Sequence, residues 1–145
     1  MSLSDWRKNG WVTEQESSRN EISDLLAVIE RDLHDCRTAG LSPDWRFNIA
    51  YNAALQAANA ALAAAGFRAA REAHHFRAIQ SLAHTIGAEP EFIRRLDAFR
   101  KKRNLASYEI GGSVSEQEAK EVAELAEELR DRVMRWLRSK HPALL

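Results

Sequence analysis

The sequence predicts an all-α fold, an antiparallel up-and-down bundle of four core helices plus an additional helix. Three observations carry that expectation. Apolar residues recur every three or four positions over long stretches. Capping residues, Pro43, Pro90 and glycines punctuate those stretches where helices should begin and end. No segment shows the strict alternation of a half-buried strand. At 145 residues the chain is the size of one domain, with a bundle over 13–140 between an N-terminal arm of 1–12 and a tail of 141–145.

The arm holds Trp6 and Trp11 and is expected to fold back so that Trp11 covers one end of the bundle. Thr13 and Glu16 read as a capping box opening the first helix, whose stripe is Ile22, Leu25, Leu26, Ile29, Leu33 and Cys36. Gly40 closes it. Ser42 as N-cap and Pro43 at the first helical position start the second helix, which runs to Gly66. Its alanines cover more than one face, so neighbours can approach it closely on several sides and it should be central. Trp45, Phe47, Ile49, Tyr51, Leu55 and Leu62 supply its larger contacts.

A third helix is expected over 71–86, striped by His75, Ile79, Leu82 and Ile86. Pro90 opens the fourth, with Phe92, Ile93, Leu96 and Phe99 facing inward, and Gly111-Gly112 interrupts the pattern. Ser115 and Glu118 form a capping box for the last helix, whose stripe is Val122, Leu125, Leu129, Val133 and Trp136. That helix is acidic in its first turns and basic in its last, as the helix dipole favours.

Composition narrows the function. Lys plus Arg and Asp plus Glu both number 21, so no net charge draws the chain to nucleic acid or membranes and any such contact must be a local patch. The single cysteine, Cys36, excludes an internal disulfide. No apolar run is long enough to span a bilayer, and a cytoplasmic location without membrane contact is expected. No phosphate-cradling glycine loop, nucleophile elbow or zinc spacing occurs, so no metal and no cofactor are expected.

The stretch from Arg100 to Tyr108 is the most informative. The apolar stripe Leu96, Phe99 steps next onto Arg103, which aims a fixed cation along a face that should be buried. A buried guanidinium is costly unless it meets a carboxylate, a second subunit or an anionic ligand. It is therefore either a structural ion pair or a phosphate contact, with Arg100, Asn104 and Tyr108 beside it. Arg94, Lys101 and Lys102 are read as a solvated face, balanced by the glutamates that open the last helix. His75, on an apolar stripe, reads as a satisfied core residue; a composite site with Arg103 across the bundle is the alternative.

Arg103-Asn104, late in the bundle and before the final helix, resembles the hallmark of the HEPN domain family: an Arg, often followed by Asn, then a few residues, then His. The run from Asp44 to Leu55 resembles that family's second helix, and the Gly66-Phe67-Arg68 turn leading to His74-His75 resembles its approach to the next. The resemblance covers most of residues 13–138. It implies a homodimer in which two motifs meet and cleave RNA without metal. The 2′-hydroxyl would be the nucleophile, the His would handle protons and the Arg would stabilise the phosphorane. Here Tyr108 stands five residues after Arg103 and no His follows. A tyrosine titrates near pH ~10 and is a poor proton shuttle at neutrality, though it can hydrogen-bond phosphate or stack on a base. The resemblance thus carries over Arg103 and Asn104 but not the acid–base residue.

Three readings follow from it. The first is a HEPN-like protein that binds RNA or nucleotide phosphate, a toxin or defence component paired with a small nucleotidyltransferase. In related systems that partner modifies a tyrosine near the motif, which singles out Tyr108, although there the tyrosine lies beyond the His. The second is a non-catalytic dimeric interaction module with Arg103 as a structural ion pair. The third is a metal-independent ribonuclease in which His74 or His75 replaces the missing base.

Overall fold

An alanine-rich helix occupies the middle of the molecule. In a computed structural model, which describes residues 1–106 and 113–145 apart from the side chains of 105 and 106, α3 (Pro43–Ala64) packs most extensively against α6 (Glu116–Lys140) and α2 (Arg19–Asp35). It also touches α5 (Pro90–Ala106) and the short α4 (His74–Gln80). The described residues form six helices, four long and two short, with one two-stranded sheet and two single 3-10 turns. The architecture is the expected all-α bundle.

The alanines explain the centrality of α3. Ala50, Ala53, Ala57, Ala58, Ala60 and Ala61 are completely buried on different sides of the helix. A methyl group lets each neighbouring backbone come close and costs no side-chain entropy. The bulk comes from Phe47, Tyr51 and Leu55, and from Ile22, Ile29, Leu125, Leu129 and Val133 on the flanking helices. Trp45, expected among those contacts, is instead exposed. It lies two residues before Phe47, about 200° around the helix, so the turn that buries Phe47 sends Trp45 to solvent.

Ser42 and Ser115 cap α3 and α6 as expected, Ser115 in a complete capping box with Glu118. The box at Thr13 does not form. Residues Val12–Glu14 are β1, and the N-cap of α2 is Ser18, which accepts from the Glu21 N–H. β1 pairs antiparallel with β2 (Phe67–Ala69), with Val12 opposite Ala69 and Glu14 opposite Phe67. The arm also holds a helix, α1 (Leu3–Lys8), with its own capping box at Ser2 and Asp5. Trp6, Val12 and Leu62 form a second small core there. Trp11 lies edge-on to Trp6 and packs against this core, so the arm folds back onto Leu62 of α3 as expected.

The third helix is shorter than its stripe suggested. Ala73 adopts a left-handed conformation (φ 53°, ψ 36°), so α4 cannot start before His74. After Gln80 the chain tightens into a 3-10 turn at Ser81–Ala83.

Candidate functional site

The site is built where α4 meets α5. Leu96 and Phe99 hold α5 against the bundle, Phe99 lying edge-to-face on Phe47 with ring centroids 5.7 Å apart. One turn beyond Phe99, the Arg103 guanidinium sits over the ring of Tyr51, 5.4 Å from its centroid. The buried Tyr51 hydroxyl lies 3.3 Å from Nδ1 of His75 on α4. The expected cation on a buried face is thus present. The structure brings His75 into the same neighbourhood.

Arg100 and Asn104, four residues apart on one face of α5, line a cleft of about 350 Å³ together with Arg71, His74, His75 and Phe76. Arg100 is largely buried; its Nε donates to Asp97 Oδ1 at 2.6 Å and its guanidinium lies 5.3 Å from the Phe76 ring centroid. One edge of that guanidinium is therefore held by Asp97, which fixes its orientation at the cleft. His74 and His75 lie with their rings 5.8 Å apart.

The electrostatics follow from this crowding. Burial pushes the His75 pKa below the ordinary histidine value, and the cations Arg103 and Arg100, with His74 beside them, push it the same way. His75 is therefore a neutral imidazole at neutral pH. Burial raises the Tyr51 pKa to about 12, against the opposing pull of Arg103 and Arg100, so its hydroxyl keeps its proton. A protonated Tyr51 can donate to Nδ1 of a neutral His75, which leaves Nε2–H as the outward group; the opposite tautomer would reverse both roles. The cleft combines fixed cations, an amide and an uncharged imidazole, a set suited to an anion such as phosphate.

Of the other basic residues of α5, Arg94 and Lys101 are exposed as expected but pair within their own helix, and the half-buried Lys102 is the one that meets an opening glutamate of α6. Arg94 pairs with Glu91, Lys101 reaches Asp97, and Lys102 pairs with Glu118 at the start of α6. Tyr108 lies outside the described residues. Among the described residues no group of three or more His, Cys, Asp or Glu side chains is placed to hold a metal ion, and no helix is long and apolar enough to cross a membrane.

Comparison with family models, with curated proteins and with solved structures returned no similar protein.

The sequence missed a polar series on α3. The buried Asp32 of α2 accepts from Asn52 Nδ2 at 2.7 Å. Gln56 donates to Asn52 Oδ1 at 3.3 Å, and Asn59 donates to Gln56 Oε1 at 3.2 Å. Positions 52, 56 and 59 share a helix face, and three long amides on an otherwise alanine-rich helix were the available signal.

Proposed function

We propose that this chain is a HEPN-like protein that binds RNA or nucleotide phosphate in the cleft between α4 and α5, and that it works as a dimer beside a small nucleotidyltransferase in a toxin or defence system. The observation that carries the phosphate reading is the convergence of Arg100, Asn104, His74 and His75 on one cleft, with Arg103 close enough to depress His75. Arg100 and Asn104 supply donors to phosphate oxygens, and Arg71 adds an exposed cation at the rim. A neutral His75 can also accept a proton from a 2′-hydroxyl beside bound phosphate, in the tautomer whose Nδ1–H donates to the Tyr51 hydroxyl and leaves Nε2 free. The same site therefore supports metal-independent cleavage with His75 in place of the family's His.

The test is binding of single-stranded RNA by the purified protein over a range of salt concentrations. Arg100→Ala should weaken binding about tenfold and lower the salt slope by roughly 0.7, the value for one lost phosphate contact to a single strand. Unchanged binding in that variant, or none by the wild type, would overturn the reading. Incubation of the same samples without metal asks for chemistry: a 2′,3′-cyclic phosphate product that disappears in His75→Ala assigns catalysis to the cleft.

A second reading has one observation in its favour. The stack of Arg103 on Tyr51 holds that cation against its own bundle. In a non-catalytic interaction module the wild type would show no affinity for RNA, and Arg103→Ala would lower stability alone.

A further inference from the structure

A second cavity lies next to the phosphate cleft, and His74 lines both. It has a volume of about 290 Å³ and sits between α2, α3 and β2. Leu25 and Phe67 give it apolar walls, and Gln56 and Asn59 line it with amides. At its edge Arg68 pairs with Glu21 at 2.6 Å, so that carboxylate is neutralised rather than left to repel an anion.

The amides have a direction. A carboxylate only accepts hydrogen bonds, so the buried Asp32 compels Asn52 to turn its NH2 toward it. That leaves Asn52 Oδ1 to receive the Gln56 NH2, and Gln56 Oε1 to receive the Asn59 NH2. Reversing either of the last two amides would set oxygen against oxygen or leave a donor facing a donor. Each NH2 therefore points back along the series toward Asp32, and the series ends on a carbonyl oxygen, Asn59 Oδ1. No described residue donates to that oxygen. Asn52, Gln56 and Asn59 are also the only positions from 51 to 60 that are not buried, so the far end of the series is open.

We infer that this cavity is a nucleobase subsite that selects bases carrying an exocyclic amino group, with Asn59 Oδ1 as the acceptor that reads it. The inference rests on the phosphate reading above: the phosphate takes the α4–α5 cleft, the base takes the α2–α3 cavity, and His74 stands between them. Phe67 and Leu25 cover the faces of the ring, while the amide end meets its edge. Cytosine and adenine present an amino donor where uracil and hypoxanthine present a carbonyl oxygen, which would face Asn59 Oδ1 without a proton between them. The preference is set by Asp32, which contacts no ligand and is a positioning residue.

The experiment measures binding of four short RNA homo-oligomers by the intact protein, pairing C with U and A with inosine. Members of each pair have nearly the same shape and differ in the group that meets Asn59. The wild type should favour the amino-bearing member of at least one pair by roughly fivefold, the worth of one hydrogen bond. Asn59→Ala should abolish that preference while leaving the affinity for the oxo-bearing member unchanged. Asp32→Asn, checked for retained helical content, should reduce the preference because the series can then run in either direction. Binding of all four oligomers with equal affinity overturns the base subsite and leaves the phosphate reading standing. A preference that survives in Asn59→Ala overturns it too. Failure of every oligomer to bind overturns both.

Discussion

At the scale of single residues, two histidines make stability depend on pH. Burial holds His75 and His84 below the ordinary value of 6.5, with Arg103, His74 and Arg100 adding to the shift at His75. A lowered folded-state pKa means that the unfolded chain takes up the proton first as pH falls. Their contribution is therefore complete above pH ~6.5 and is lost as pH drops through the folded-state values. The carboxylates whose folded-state pKa is lowered, Asp5, Glu89, Glu91 and Glu118, act below about pH 4.5, so the interval between belongs to the histidines. Thermal unfolding from about pH 7 to pH 5 should show a falling midpoint in the wild type and a smaller fall in His75→Gln, with the remainder due to His84. Equal falls in the two proteins would mean that His75 is not held neutral by its surroundings. Phosphate bound beside Arg100 would offset part of the positive field and bring the His75 pKa back toward its ordinary value, so the same scan with saturating RNA should show a higher midpoint throughout, by mass action on the folded state, and a smaller fall.

At the scale of elements, the helices with strong local signals were legible and those defined by their partners were not. The stripes of α2, α3, α5 and α6 and the caps Ser42 and Ser115 arise from short-range periodicity and hydrogen bonding that a sequence displays directly. Thr13 failed as a cap because Val12–Glu14 finds a strand partner at Phe67–Ala69, more than fifty residues away, and only tertiary closure reveals that pairing. Arg100, Arg103 and Asn104 were visible as charge and amide on a helix that also carries an apolar stripe. The placement of His75 beside them was not, because a stripe shows which face is buried without showing which helix buries it. Two substitutions test the element-level account. Ser115→Ala removes the capping box of α6 and should lower stability by about 1 kcal/mol, seen as a lower denaturant midpoint at unchanged m. Ala57→Leu puts a branched side chain where α3 has no free space and should cost ~1–3 kcal/mol. A neutral result there would show that α3 is less tightly enclosed than its buried alanines indicate.

In the whole molecule, the N-terminal arm joins the bundle to the cleft. β1 pairs with β2, and β2 leads through Ala73 into α4, the helix that carries both histidines of the cleft. Trp6 is buried against Val12 and Leu62, and it meets the His84 ring just beyond α4 at 5.2 Å. On α4 itself, the Arg77 guanidinium lies 3.8 Å from the Trp11 ring centroid and 5.9 Å from that of Trp6. The arm therefore holds α4 in two ways, by the backbone pairing of β1 with β2, which leads into that helix, and by the Arg77 cation over two indoles. Alone, α4 is two turns long with no side-chain cap, too short to hold its shape without such support. Trp11→Ala should remove about 1–2 kcal/mol from that support, and the loss should be local. Amide hydrogen exchange over 74–80 should quicken while that of α3 and α6, which bury the main core, stays as in the wild type. RNA affinity should fall with it, because loosened histidines no longer share a fixed cleft with Arg100 and Asn104. Faster exchange throughout the bundle would instead mean that the arm supports the whole fold, and unchanged exchange at α4 would leave Trp11 with no part in holding the cleft.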